Sequence, residues 1–139
     1  MRVFGEFKPA YGGAMNHHQK LALWAADCAE RVLANFVDAD PRPRAAIDAA
    51  RKWTNGTLAT AEARKFAFAA HAAAREAGNP AAIAAARAAG HAAATPHVAG
   101  HARHAAGYAL KSAQLAGQGV ASERDWQLAH MPVEDENLP

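Results

Sequence analysis

His97, His101 and His104 follow one another at spacings of four and three. On an α-helix this puts three imidazoles on one stripe, with Tyr108 one turn further along. Two histidines at i and i+4 can aim at a single ion, so zinc or nickel binding is one chemistry open to the stripe. Asp27, Glu30 or His71, brought in from another helix, would supply a further ligand. A metal-binding protein, or a metal-dependent hydrolase using the His97 and His101 face with Asp27, is the reading this geometry allows. The glutamate base of the HExxH pattern is absent, because Val98 follows His97. The competing arrangement is a polar seam, in which each imidazole hydrogen-bonds a carboxylate or carbonyl across the helices. There His97 and His101 would fasten the last long helix to Asp27 on the first.

Arg64, Phe68, His71 and Arg75 also share one helical face. Two guanidiniums and an imidazole there could hold an anion or an acidic partner. They could equally be a solvated outer face whose stems cover alanine. Arg42, Arg44 and Arg51 read the same way. Cys28 sits in the middle of an apolar stripe with Leu21, Trp24, Ala25, Val32 and Phe36, as a small hydrophobe rather than a nucleophile. Trp24, Trp53 and Trp126 are anchors of a core. Neither a phosphate-binding glycine loop nor a GxSxG motif is present, so an ATPase or nuclease role has no motif to stand on.

The elements that must carry these residues are helices. Alanine makes up about three in ten of the 139 residues, and it is the best helix former and the least bulky at a helix contact. Strand signals are missing, since valine and isoleucine are scarce and no alternation persists. Asn16 caps a first helix from about His17 to Phe36, with Asp27 and Arg31 four apart as an ion pair on it. Asp40 followed by Pro41 starts a second helix that reaches Trp53 and stops at Asn55-Gly56. Thr60 with Glu62 opens a third to about Ala77, closed by Gly78, and Asn79-Pro80 opens a fourth. Thr95-Pro96 begins a new helix or kinks the same one, which then runs to about Leu115. Ser122 with Asp125 starts a short closing helix. The whole is an all-α fold, a compact bundle of about five to six antiparallel alanine-rich helices. It forms a single helical domain over 15–132, between an irregular arm over 1–14 and a loose acidic tail over 133–139.

A formal charge of +2 with histidine neutral gives no overall electrostatic footprint for nucleic acid. The single cysteine excludes an internal disulfide. No leader-like segment opens the chain, and no apolar run approaches the ~20 residues a membrane span needs. The expectation is a soluble, cytoplasmic protein with neither nucleic acid nor membrane as partner, and with a homodimer left open.

One run is specific enough to place. Leu21-Ala22-Leu23-Trp24-Ala25-Ala26-Asp27-Cys28-Ala29-Glu30-Arg31-Val32-Leu33 resembles the start of the Imm-5-like immunity-protein domain of bacterial polymorphic toxin systems. The resemblance continues through Asp40-Pro41-Arg42-Pro43-Arg44, Arg51-Lys52-Trp53, Ala70-His71-Ala72-Ala73-Ala74-Arg75, Thr95-Pro96-His97-Val98, Tyr108-Ala109 and Trp126-Gln127. It closes at Met131-Pro132. It implies an all-α, non-enzymatic protein that neutralises a cognate toxin from the same or a neighbouring bacterial cell. The matched polar positions are Asp27, Arg42, His71, Arg75, His97, His101 and Tyr108, which the resemblance implies form a shared polar core. Pro96 departs from the pattern, in which a helix-compatible small residue is expected. That departure puts continuity of the helix there in doubt.

Overall fold

The computed structural model describes residues 14–133. The arm and the acidic tail fall outside the described residues, apart from Ala14 and Val133. Six α-helices follow one another: α1 His17–Val32, α2 Arg42–Thr54, α3 Thr60–Glu76, α4 Pro80–Ala94, α5 His101–Leu115 and α6 Val120–His130. A 3-10 turn over Leu33–Asn35 extends α1, and no strand occurs among the described residues. The all-α bundle expected from the sequence is what forms.

Helix ends follow local chemistry. Asn16 and Gln19 make a reciprocal capping box at the start of α1: the Asn16 side chain accepts from the Gln19 N–H at 2.9 Å, and the Gln19 side chain accepts from the Asn16 N–H at 2.8 Å. The Asn79 side chain accepts from the N–H groups of Ala81 and Ala82, with Pro80 as the first helical residue. Asp40 likewise accepts the Arg42 N–H at 3.0 Å, although regular helix begins only at Arg42. Gly56 ends α2 with φ at +79° and Gly117 ends α5 with φ at +74°, a conformation that glycine adopts without steric penalty.

Two local expectations are corrected, the start of α6 at Ser122 and the Asp27–Arg31 pair, and two others are settled. As expected, α3 begins at Thr60 with Glu62 in its first turn, and the Thr60 hydroxyl accepts the Trp53 indole N–H at 3.0 Å. Ser122 lies inside α6, which starts at Val120 after Gly119. Asp27 and Arg31 do not pair. Arg31 reaches across to Glu123 at 2.7 Å and lies 4.2 Å over the Trp126 ring, while Asp27 pairs with Arg51 of α2 at 2.8 Å. Finally, of the two courses open at Thr95-Pro96 the chain takes the new helix: α4 stops at Ala94 and α5 begins at His101. Proline lacks the N–H a continuing helix needs and clashes with its preceding turn.

The centre of the bundle is α4, which packs on α1, α2, α3 and α5. Its buried residues are all alanine apart from Gly90. Such small side chains let helix axes approach at the short end of the usual ~8–10 Å range, so one thin helix accommodates four neighbours. Ile47 and Val32 are the bulkiest side chains that are completely buried. The last helix is tied on by a polar relay: the Trp24 indole donates to the Gln127 carbonyl at 3.0 Å, and the Gln127 amide donates to the Ala106 carbonyl at 2.9 Å. Through these bonds α6 is fixed to both α1 and α5.

Candidate functional site

Only one stripe of α4 reaches the surface. Ile83, Arg87, His91 and Ala94 are its partly accessible residues after Pro80, and their helical spacing lines them up. The stripe forms the floor between α3 on one side and α5 on the other. Histidines from all three helices gather over it.

His91 is the hub. Its ring centroid lies 4.9 Å from His71 of α3, 5.1 Å from His101 and 5.2 Å from His104 of α5. Tyr108 stacks on it at 5.3 Å with the ring planes 9° apart. Nδ1 of His91 and Nδ1 of His101 are 3.0 Å apart, so one donates and the other accepts. Arg87 donates from Nη1 to Nδ1 of His71 at 2.8 Å, which leaves the His71 proton on Nε2.

Burial and neighbouring charge disfavour protonation of His71, His91 and His101. Burial, then the charges of Arg87 and Arg75, push the His71 pKa down to about 4. Burial, then His71, His101, His104 and Arg87, push His91 down to about 4 as well. His101 is lowered by burial and by His104 and His97. A protonated imidazole here would face cations with no carboxylate to receive it.

The placement of the sequence-derived residues follows. His71, His101, His104 and Tyr108 come together. His97 does not: it lies exposed in the turn between α4 and α5 rather than on the stripe. The expected seam from His97 and His101 to Asp27 is therefore not built, because Asp27 pairs with Arg51 and the polar partner of His101 is His91. Arg42 is held by Asp40 at 2.6 Å and also by Glu76, away from the cluster. Arg75 is exposed on α3 and reaches the cluster only through its charge beside His71. As for the metal stripe, no set of three or more His, Cys, Asp or Glu side chains among the described residues is arranged to hold an ion.

His91 and Arg87 escape a reading along single helices. A hairpin reading finds both. His91 and His101 lie five residues either side of Pro96, and His71 and Arg87 lie eight residues either side of Asn79. Antiparallel helices joined at those prolines and caps bring such positions level.

Gly90 is the seat of the cluster. A Cβ there would sit 2.7 Å from Cε1 and Nε2 of His71, whereas one at Gly107 of α5 meets nothing within 4 Å. Gly107→Ala is therefore expected to stabilise by about 0.5–1 kcal/mol through helix propensity alone. Gly90→Ala is expected to reverse that sign and destabilise by about 1 kcal/mol, as the His71 ring is displaced from its bond to Arg87. Urea unfolding of the two variants beside the parent protein reads both signs.

These features define a helical protein whose accessible polar site is an imidazole and guanidinium groove. The family model described as Imm-5 like putative immunity protein matches residues 14–134, and the chain belongs to that family. No curated protein and no solved structure matches it. No helix among the described residues is long and apolar enough to cross a membrane.

Proposed function

We propose that this chain neutralises a bacterial toxin by binding it, without performing chemistry of its own. The observation that carries the reading is family membership along almost all of the described chain. Side-chain chemistry is in keeping with it. The Cys28 thiol is fully buried and pushed up to about 12 by burial and by Asp27, so it is no nucleophile at neutral pH. The clustered imidazoles bond to each other and to Arg87 instead of to a carboxylate or a hydroxyl nucleophile. The partner is a cognate toxin of the same or a neighbouring cell.

Co-expression tests this directly. A toxin-domain protein encoded beside this gene should arrest growth alone and permit growth when this chain is co-expressed, with both proteins retained together on a tag carried by either. Growth arrest that persists in the presence of well-expressed chain refutes the reading.

A further inference from the structure

Charge is distributed unevenly over the bundle. No Asp or Glu occurs between Glu76 and Glu123, a stretch that contains all of α4 and α5. On α1, α2 and α6, acids and bases neutralise one another: Arg51 with Asp27 and Glu30, Arg44 with Glu30 and Asp48, Arg31 with Glu123. Arg64, Arg75, Arg87, Arg103 and Lys111, on α3, α4 and α5, have no carboxylate partner among the described residues. Lys20, Lys52 and Arg124 are also unpaired there, but they are scattered singly over α1, α2 and α6.

The unpaired cations of α3 to α5 are joined through the groove. Arg75 and Arg87 flank His71, His71 leads to His91, and His91 leads to His104. His104, Arg103, Tyr108 and Lys111 then frame a shallow depression of about 350 Å³ on α5. Tyr108 and Lys111 are shared with a second, apolar hollow of about 190 Å³ between α4 and α5, completed by Pro80, Ile83, Ala84 and Leu115. An apolar pocket thus opens directly beside an unneutralised cationic band. Leu115 remains 48% exposed at its edge, so the pocket is accessible from solvent.

We infer that this groove is the toxin-docking face, and that it receives an acidic strip of the toxin whose one apolar side chain enters the hollow between α4 and α5. The inference rests on the immunity reading above and deepens it by fixing the chemistry of the partner. Charge complementarity selects that occupant. Like charges kept close on a folded surface repel, and a carboxylate-bearing partner removes the repulsion while steering the encounter. Interfaces take most of their affinity from a buried anchor ringed by polar contacts, which matches a hollow with a cationic rim.

The test uses the full chain and the purified cognate toxin, with affinity measured at low and high salt. The double reversal Arg103→Glu with Lys111→Glu is compared with Lys52→Glu with Arg124→Glu, exposed cations outside the band. Ile83→Asp, at the floor of the hollow, is a third variant, and melting curves establish that each is folded. The expected result is a loss of at least about 100-fold for the band reversal and for Ile83→Asp, with the control pair within about 3-fold, and weaker binding as salt rises. Equal affinity of the band and control variants overturns the docking face while leaving toxin binding intact. Band-dependent binding of a single-stranded oligonucleotide in place of the toxin also overturns it. Failure of the unsubstituted chain to bind any toxin encoded beside it instead removes the immunity reading, and is recognised by that result alone.

Discussion

Replacing Ala85 with leucine is expected to lower the free energy of unfolding by about 3 kcal/mol, the top of the usual ~1–3 kcal/mol range for overpacking. The reason is the position of α4. Ala85 is completely buried, and the helix that carries it packs on four others. A side chain three heavy atoms longer has to push a helix aside, because interiors are packed to crystal-like density. Most cores fail chiefly when large residues are truncated; this one has little to truncate and fails when small residues grow. Ala61→Leu on the exposed side of α3 is the matched control, expected within about 0.5 kcal/mol of the parent. Urea midpoints at unchanged slope measure both. A well-tolerated leucine at position 85 would mean that α4 is not the tightly enclosed centre of the bundle.

The second large effect is loss of stability in mild acid. His71 and His91 are pushed from 6.5 down to about 4 in the folded chain. A lowered imidazole pKa means the folded state favours the neutral form. Its contribution is therefore complete above about 6.5, declines as pH falls through the window toward 4, and is gone below both values. The rings face His101, His104 and Tyr108 from α5 and are flanked by Arg87 and Arg75, with no acid nearby to offset a new proton. Both are only partly buried, and solvent screening leaves about 1 kcal/mol each, or about 2 kcal/mol for the pair. Glu30 and Asp40, held below their ordinary 4.5 and 3.8 by Arg51 and Arg42, remain charged through most of this window. Unfolding free energies measured between pH 6.5 and 4.5 should fall steadily, and the double variant His71→Gln, His91→Gln should flatten that slope. An unchanged slope in the double variant would show that these imidazoles are not the groups responsible.

Much of this architecture is legible in the residues. The alanine content, the caps at Asn16, Asp40 and Asn79 and the stops at Gly56 and Gly117 mark the helices within a residue or two. The site is legible only in part. His101, His104 and Tyr108 share a face because they share a helix, and local periodicity finds them. His97 has the same spacing but lies before the helix, since Pro96 withholds an N–H and turns the chain. His91 was hidden for the opposite reason. It is a lone polar residue in an alanine run, and its partners come from two other helices. Periodicity describes one helix at a time, whereas the cluster is set by the register between helices. Asp27 shows the same limit: spacing matches it to Arg31, yet Arg51 on α2 donates to it at 2.8 Å.

The partly exposed stripe Ile83, Arg87, His91 and Ala94 gains its meaning from the same register. A helix buried on almost every side normally shows solvent nothing but gaps between its neighbours. Along α4 the gap carries in order an apolar side chain, a guanidinium and an imidazole. That order is what the proposed docking face rests on.

Neutralisation by binding is tested most directly by titrating the activity of the purified cognate toxin with this chain. Toxin activity should fall linearly and reach background at one equivalent, with both masses unchanged and activity recovered once the complex is separated. Loss of activity at a small fraction of an equivalent, or a lasting change in the mass of the toxin, would contradict it and assign the protein a catalytic role instead.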